Sequence, residues 1–282
     1  MRGPSGTARL TAVARALHRE EPPPWVLDDY LALGLAGADG PELRARLMRE
    51  LTPENLLAFC RWVCVRARLP EDIVEEAVAT GVHQYVILGA GLDSFAYRRA
   101  DLLDRLLVYE VDHPDTQMWK RGRLSELDVQ VPASLVFAPV DFERQTLAGG
   151  LEAAGFDFGE PAVFSWIGVT MYLTREAIIA TLDTVTGCPA GTRVVLTYNL
   201  PKDALQGMGE STERVLTGIV TEMGEPFVSL FLPAEIEELL HDRGFGEIVH
   251  FGPDEARAKY FEGRSDVQFG GAQRLIAATV AG

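Results

Sequence analysis

The sequence contains few cysteines and no long apolar run. Its 282 residues include three cysteines, Cys60, Cys64 and Cys188, and this scarcity is typical of a reducing compartment. No stretch approaches the roughly 20 apolar residues that span a bilayer, and the start lacks the basic and apolar segments of a secretion signal. We therefore expect a cytoplasmic protein with no membrane partner.

Basic residues are also scarce. The 26 lysines and arginines are outnumbered by 41 aspartates and glutamates, so the formal net charge at pH 7 is −15. A field of this sign repels polyanions, which argues against a nucleic-acid substrate or partner. Hydrophobic residues make up 47% of the chain, enough for the core of a single domain over residues 1–282.

Cys60 and Cys64 lie one helical turn apart, a spacing that two metal ligands could share. No third or fourth ligand stands near them in the sequence. We therefore expect both to be small buried side chains, and we predict no metal site.

A short apolar run leads into two glycines. Residues 85–88 are apolar and predict a strand buried on both faces. Gly89 and Gly91 then let the backbone turn sharply and approach a ligand without a Cβ atom in the way, and Asp93 or Ser94 could cap the helix that follows. Ser94 stands where a dinucleotide fingerprint requires its third glycine. The turn therefore indicates a nucleotide-type site but departs from the dinucleotide pattern.

A second predicted strand, 106–112, carries Glu110 and Asp112 at its end, about 20 residues after the turn. A carboxylate at this place accepts hydrogen bonds from the hydroxyls of an unphosphorylated ribose and repels a 2′-phosphate. The pattern therefore predicts an adenosine-type ligand, with an ordinary strand end as the alternative interpretation.

Strands and helices alternate through the rest of the chain, which predicts an α/β fold with a parallel sheet. The last two strands could form an antiparallel pair. The predicted strands are 135–140, 162–166, 193–200, 247–251 and 273–280, and the predicted helices are 114–127, 143–154, 234–243 and 253–263.

The first 81 residues are predicted to form a helical N-terminal extension. Helices are expected over 7–20 and 54–68, and Pro70 is expected to open a third helix that runs to residue 80. The remainder divides into a cofactor-binding core over 82–200, a lid or substrate insertion of weak periodicity over 201–231, and the C-terminal part of the sheet over 232–282.

Five blocks of the sequence carry a family resemblance: Leu88-Gly89-Ala90-Gly91-Leu92-Asp93-Ser94, Tyr97-Arg98, Glu110-Val111-Asp112, Val140-Asp141 and Met171-Tyr172-Leu173. They resemble the leucine carboxyl methyltransferase family, specifically its bacterial branch of S-adenosyl-L-methionine-dependent O-methyltransferases. The resemblance runs from about residue 7 to the C-terminus. It implies a Rossmann-like class I methyltransferase with a mostly parallel seven-stranded sheet, an antiparallel last strand, and S-adenosyl-L-methionine as cofactor.

The resemblance also implies site residues. In the family, an arginine upstream of the glycine turn binds the methionine carboxylate of the cofactor, which points to Arg66, with Arg68 as the near alternative. Asp141 and Phe142 take the place of the residues that meet the adenine, although Asp141 could equally cap a helix. The expected cofactor-binding residues are Arg66, Gly89, Gly91, Asp93, Glu110, Asp112, Asp141 and Phe142.

One position departs from the family pattern. Many relatives carry a glutamate where Ile167 stands. If that glutamate contacts cofactor or substrate, the contact is absent here or supplied elsewhere. This weakens the transfer of the family's protein-carboxyl-methylating activity to this chain and leaves the fold inference intact.

The need for a catalytic base depends on the methyl acceptor. A carboxylate is already ionised at neutral pH, whereas a phenol with a pKa near 10 must lose its proton. No catalytic residue is therefore assigned. For a phenol the candidate bases, each of which also fits a structural role, are His113, Tyr172, Tyr198, His241 and His250.

The sequence thus predicts an enzyme that methylates a carboxylate or hydroxyl oxygen of a small molecule, for example a secondary metabolite. One alternative is an NAD-dependent oxidoreductase, against which Ser94, Arg66 and Asp141 argue. The other is a cofactor-binding protein without turnover, which Ile167 permits.

Overall fold

A seven-stranded sheet forms the centre of the molecule. The computed structural model describes residues 5–142, 144–205, 208–264, 266–269 and 271–282, without the side chains of residues 208–212. The strands lie in the order β3-β2-β1-β4-β5-β7-β6. They are β1 (Gln84–Leu88), β2 (Leu107–Asp112), β3 (Leu135–Pro139), β4 (Ala162–Trp166), β5 (Arg193–Asn199), β6 (Phe245–Phe251) and β7 (Gln273–Val280).

The pairing confirms the predicted fold class. Strands β1 to β5 pair in parallel, and β7 enters antiparallel between β5 and β6. All residues of β1 and β4 are buried, because helices cover both faces of a parallel sheet. The strand order reverses between β1 and β4, and ligands of open α/β sheets bind at such a point, beyond the carboxyl ends of the strands.

Helices form both outer layers and the N-terminal extension. On one face the core contains Leu151, Leu182 and Leu240, and on the other Val74, Ala77 and Phe95. The helices are α1 (Gly6–His18), α2 (Ala32–Ala36), α3 (Gly40–Glu50), α4 (Pro53–Ala79), α5 (Phe95–Arg98), α6 (Pro114–Glu126), α7 (Leu147–Ala153), α8 (Arg175–Thr186), α9 (Met208–Glu222), α10 (Pro233–Asp242) and α11 (Pro253–Tyr260), with 3-10 turns at Gly37–Asp39, Thr170–Tyr172 and Lys202–Ala204.

Pro70 does not open a helix, which corrects the expectation of a break before it. Helix α4 continues through Pro70 for 27 residues. A proline inside a helix removes one backbone hydrogen bond, here the one to the Arg66 carbonyl. The helix tolerates this loss because Leu69, Pro70 and Val74 are buried in the core, and packing overrides local propensity.

None of the helices in the described ranges is long and apolar enough to cross a membrane.

Cys60, Cys64 and Cys188 are buried free thiols. Burial raises the pKa of Cys60 to about 12, so it behaves as a small core side chain.

Candidate functional site

The glycine turn after β1 requires glycine at its first position. Gly89 and Gly91 have positive φ angles of 67° and 48°, a region that other residues rarely adopt. A Cβ atom on Gly89 would lie 2.5 Å from Cγ2 of Val169. The backbone N–H groups of Gly89 and Ala90 both donate to the carbonyl of Val111, at 2.9 and 3.0 Å. The turn is therefore joined to the end of β2.

Asp112 holds the turn from the end of β2. Its Oδ2 accepts from the N–H of Gly91 at 2.6 Å, and its Oδ1 accepts from the N–H of His113 at 2.7 Å. Burial raises the pKa of the Asp112 carboxyl, and the bonds from Gly91 and His113 act in the opposite direction. Thr116 is a further hydrogen-bond partner of this carboxylate. A carboxylate has about four acceptor positions, so one remains for a ligand at the turn.

Asp93 ends the turn. Its Oδ1 accepts from the N–H of Phe95, the first residue of the short helix α5, at 2.7 Å. Ser94 occupies the N-cap position of α5 without a side-chain capping bond. Ser94 takes another role, because its hydroxyl accepts from Nε of Arg98 at 2.8 Å.

Arg66 is a partly buried cation that lines the same cavity as this turn. Its guanidinium donates to the side-chain oxygen of Gln273 and lies beside Gly168, where a Cβ atom would be 3.5 Å from Nη2. Burial lowers the pKa of Arg66 to about 10, which leaves it charged at pH 7. In the part of the chain that the structure describes, Arg66 forms no ion pair. Arg68 points elsewhere and pairs with Asp72 at 2.5 Å.

These groups meet in one cavity of about 610 Å³. Five of the eight predicted cofactor-binding residues line it: Arg66, Gly89, Gly91, Asp93 and Asp112. The volume is within the range of small-ligand sites. The rest of the wall is largely apolar and includes Phe59, Trp62, Ile167, Leu216, Val220 and Phe227.

Glu110 lies outside the lining of the cavity, and its predicted contact with the ligand stays a prediction. Its Oε2 accepts from Nζ of Lys120 at 2.6 Å, and both side chains are 1% exposed. Glu110 precedes the strand end by two residues, or about 7 Å, so helix α6 covers it. Asp112, on the same face, reaches the edge of the sheet.

Asp141 and Phe142 also lie outside the lining of this cavity. Phe142 is 58% exposed, and the N–H of Asp141 donates to the side-chain oxygen of Gln145 at 3.1 Å. Helix α7 begins at Leu147 with Thr146 as its N-cap, so Asp141 is not the cap. The predicted helix start at residue 143 falls outside the described residues. A contact with adenine stays a prediction.

Of the five candidate bases, Tyr172 lines the cavity. Burial raises its pKa to about 12, while Thr7 and Arg66 oppose that shift. The remaining four lie elsewhere in the described structure. His113 caps α6, His250 lies 3.4 Å from the Tyr198 hydroxyl and 3.2 Å from Glu237, and His241 contacts the carbonyl of Phe245.

Two acidic residues of the cavity wall were missed by sequence reasoning. The carboxylate of Glu225 accepts from the N–H of Gly6, at 2.8 Å, and from the Thr7 hydroxyl, which holds α1 over the site. Glu213 accepts from the N–H of Ala272 at 3.1 Å. Both glutamates come from the predicted lid, more than 100 residues after the glycine turn. No local motif marks them.

Comparisons with known proteins agree with this geometry. A family model described as leucine carboxyl methyltransferase matches residues 8–186. The Bacillus subtilis protein YktD, named as an inferred S-adenosyl-L-methionine-dependent methyltransferase, is 31% identical over 92% of both chains. A Mycobacterium avium protein of the same description is 37% identical over 73% of this chain and 68% of its own.

Two solved structures share the fold. A duf574 family protein from Streptomyces avermitilis superposes with a TM-score of 0.61 and 17% identity, covering 98% of each chain. A protein from Thermobifida fusca, described as an inferred methyltransferase, has a TM-score of 0.62 and 15% identity, covering 99% of this chain and 96% of its own. These likenesses confirm the predicted fold.

Proposed function

The chain belongs to the leucine carboxyl methyltransferase family and is an S-adenosyl-L-methionine-dependent methyltransferase, and from this premise we propose that it methylates a carboxylate or hydroxyl oxygen of a small molecule. The observation that carries the proposal is a cavity lined by charged residues and glycines in one part and by apolar side chains in the rest. Such a cavity can hold the donor and an apolar acceptor side by side.

The charged part fits S-adenosyl-L-methionine. Arg66, a partly buried guanidinium without an ion pair among the described residues, would bind the methionine carboxylate in a bidentate geometry. Asp112 would accept from the ribose hydroxyls, and Gly89 and Gly91 leave room for the backbone to approach the ligand. We propose that Asp141 and Phe142 bind the adenine when the donor is present.

The donor supplies a methyl group on a sulfonium, and the chain supplies position and exclusion of water. Helix α1 closes one side of the cavity. Ala8 lies close to Gly91, since a Cβ atom added to Gly91 would be 3.3 Å from the Ala8 Cβ. The segment 224–231 closes another, since the N–H of Val228 donates to the carbonyl of Met171 at 2.7 Å. Holding the acceptor oxygen in line with the methyl carbon in such a site supplies much of the acceleration.

Arg66→Ala tests the donor site, and Arg68→Ala is its matched control on the same helix. We expect Arg66→Ala to weaken binding of S-adenosylhomocysteine by about 2 to 5 kcal/mol, since a buried carboxylate loses its partner. Adenosine, which lacks the carboxylate, should bind both variants as it binds the unmodified protein. Isothermal titration calorimetry measures the affinity of each of the three proteins for both ligands.

An equal loss of adenosine affinity in Arg66→Ala would show a structural role instead. A loss confined to Arg68→Ala would transfer the carboxylate contact to that residue. Incubation with labelled donor and a set of small carboxylic acids and phenols then tests the acceptor class. Transfer to neither set would reject the proposal.

A further inference from the structure

The charged groups that line the cavity are mostly acidic. Four carboxylates, Asp93, Asp112, Glu213 and Glu225, face two guanidiniums, Arg15 and Arg66. Arg15 is already paired with the buried carboxylate of Asp29 at 2.7 Å. Arg66 is the cation proposed above for the methionine carboxylate. The bound donor adds one net positive charge, so the occupied cavity stays negative overall.

This balance disfavours an ionised acceptor. A carboxylate brought into the cavity would find no further cation among the described lining residues, and desolvating an unpaired carboxylate is costly. A neutral hydroxyl on an apolar molecule avoids that cost. The aromatic side chains of Phe59, Trp62 and Phe227 offer such a molecule a matching wall.

A neutral hydroxyl needs a group to take its proton, and Glu213 is placed for this. Its side chain lines the cavity although the residue is 7% exposed. Oε2 accepts from the N–H of Ala272 at 3.1 Å and Oε1 from the Thr217 hydroxyl at 3.3 Å. Each oxygen therefore keeps one acceptor position. The carboxylate forms no ion pair among the described residues, whereas that of Glu225 is occupied by α1.

The groups around Glu213 act on its pKa in opposite directions. Burial raises its pKa, while Lys202 and Arg274, from the 3-10 turn and β7, act in the opposite direction together with the two hydrogen bonds. Tyr172 faces it from the turn after β4 and has a pKa of about 12, so it stays protonated. A base whose pKa lies nearer to the working pH transfers protons more effectively.

We infer that the methyl acceptor is a neutral hydroxyl, such as a phenol, on an apolar small molecule, and that Glu213 is the general base. The inference rests on the proposed O-methylation. The acceptor oxygen bonds to the methyl carbon as the bond from that carbon to sulfur breaks, and its electron pair stays on sulfur. The hydroxyl proton passes to the Glu213 carboxylate and leaves to solvent after the ether product.

The experiment compares phenols with carboxylic acids of the same ring skeleton, for example 2-naphthol with 2-naphthoic acid. Methyl transfer from labelled S-adenosyl-L-methionine is measured from pH 5 to 9 for the unmodified protein, E213Q and E213D. E222Q is the matched control, because Glu222 lies on the same helix with a 70% exposed side chain. Calorimetry with S-adenosylhomocysteine shows whether each variant retains the donor site.

We expect transfer to the phenols and not to the acids. E213Q should lose about 10²- to 10⁴-fold in rate near pH 7, and its residual rate should rise about tenfold per pH unit, as the phenolate fraction does. E213D should recover part of the rate, and E222Q should match the unmodified protein. Donor affinity should stay within about twofold in all variants, since no contact to the donor is removed.

The outcomes separate this inference from the function on which it rests. Transfer confined to the acids would overturn the hydroxyl assignment and leave small-molecule O-methylation in place. Phenol transfer that E213Q leaves unchanged, in rate and in pH profile, would overturn the role of Glu213. Transfer to neither set, with donor binding intact, would overturn both the inference and the proposed function.

Discussion

At the scale of single residues, Asp112 combines two tasks in one carboxylate. It accepts from the N–H groups of Gly91 and His113, which holds the glycine turn against β2. Asp112 also lines the cavity, where we propose that its carboxylate accepts from the ribose hydroxyls. A substitution at Asp112 therefore has to be tested in a way that separates support of the turn from contact with the ligand.

We expect Asp112→Ala to weaken adenosine binding by about 1 to 3 kcal/mol through the loss of hydrogen bonds to a charged acceptor. The unmodified protein should prefer adenosine to 2′,3′-dideoxyadenosine, and the variant should not, because the contact that distinguishes the two ligands is gone. Calorimetry with both nucleosides gives this double-mutant cycle.

Two results would contradict the ribose assignment. One is an unchanged adenosine affinity in Asp112→Ala. The other is a loss of equal size for both nucleosides, which would show that Asp112 only supports the turn. Glu126→Gln, an exposed change on α6, is the control for nonspecific charge effects.

At the scale of elements, β2 and α6 are joined by a buried ion pair. The carboxylate of Glu110 and the ammonium of Lys120 are both 1% exposed, and Gln117 of the same helix donates to the Glu110 carbonyl at 2.8 Å. Burial raises the pKa of Glu110 to about 7, although Lys120 acts in the opposite direction. Glu110 precedes Asp112 by two residues on β2. Weakening the ion pair should therefore change the position of Asp112 in the site.

Lys120→Met should lower the free energy of unfolding by about 3 to 5 kcal/mol, because it leaves a buried carboxylate without its partner. The double variant with Glu110→Leu should recover much of that loss. Urea denaturation followed by circular dichroism measures both. A single variant as stable as the unmodified protein would show that the ion pair is energetically neutral.

The same pair predicts a pH dependence of stability. The Glu110 pKa rises on folding from about 4.5 to about 7, so between these values the folded state binds more protons than the unfolded state. The free energy of unfolding should therefore fall as the pH rises through this window, relative to the Glu110→Gln variant, which lacks the titration. Urea denaturation from pH 4.5 to 8 measures the difference. A constant difference across the window would contradict the prediction.

The predicted division of the chain also belongs to this scale. We propose that 1–81 is a helical extension, 82–200 the cofactor-binding core, 201–231 a lid and 232–282 the end of the sheet. The extension and the lid are in contact, because the N–H of Gly6 in α1 donates to the carboxylate of Glu225 in the lid. The described part of the lid contains α9 and the segment that contacts Met171.

At the scale of the whole molecule, all four proposed parts of the chain contribute residues to the lining of the cavity. Its lining comes from α1, α4, the glycine turn, the ends of β2 and β4, α9 and the start of β7. A ligand in it bridges elements that are far apart in sequence. Binding should therefore stabilise the folded state as a unit.

Saturation with S-adenosylhomocysteine at about 100 times its dissociation constant should add about 2.7 kcal/mol to the free energy of unfolding. For a chain of this size the unfolding midpoint should rise by about 5 °C. NAD at the same concentration should leave the midpoint unchanged. Differential scanning calorimetry measures both, and a shift with NAD alone would contradict the methyltransferase assignment of the site.

Local sequence patterns were sufficient to predict the glycine turn at Gly89 and Gly91, Asp112 at the end of β2, and the alternation that builds the sheet. These features depend on backbone geometry and on the period of apolar residues, which a short window of sequence contains. The family resemblance added Arg66, and the structure places Arg66 in the cavity. The position of Asp141 and Phe142 relative to adenine stays a prediction.

Tertiary packing decided the rest. Whether Glu110 or Asp112 faces the ligand depends on how far α6 covers β2, and whether Pro70 ends a helix depends on the core around it. Glu213 and Glu225 reach the cavity only because α9 and the segment after it return to the glycine turn across more than 100 residues. Which side chains meet over such separations depends on the packing of whole elements, and no local window of sequence contains that information.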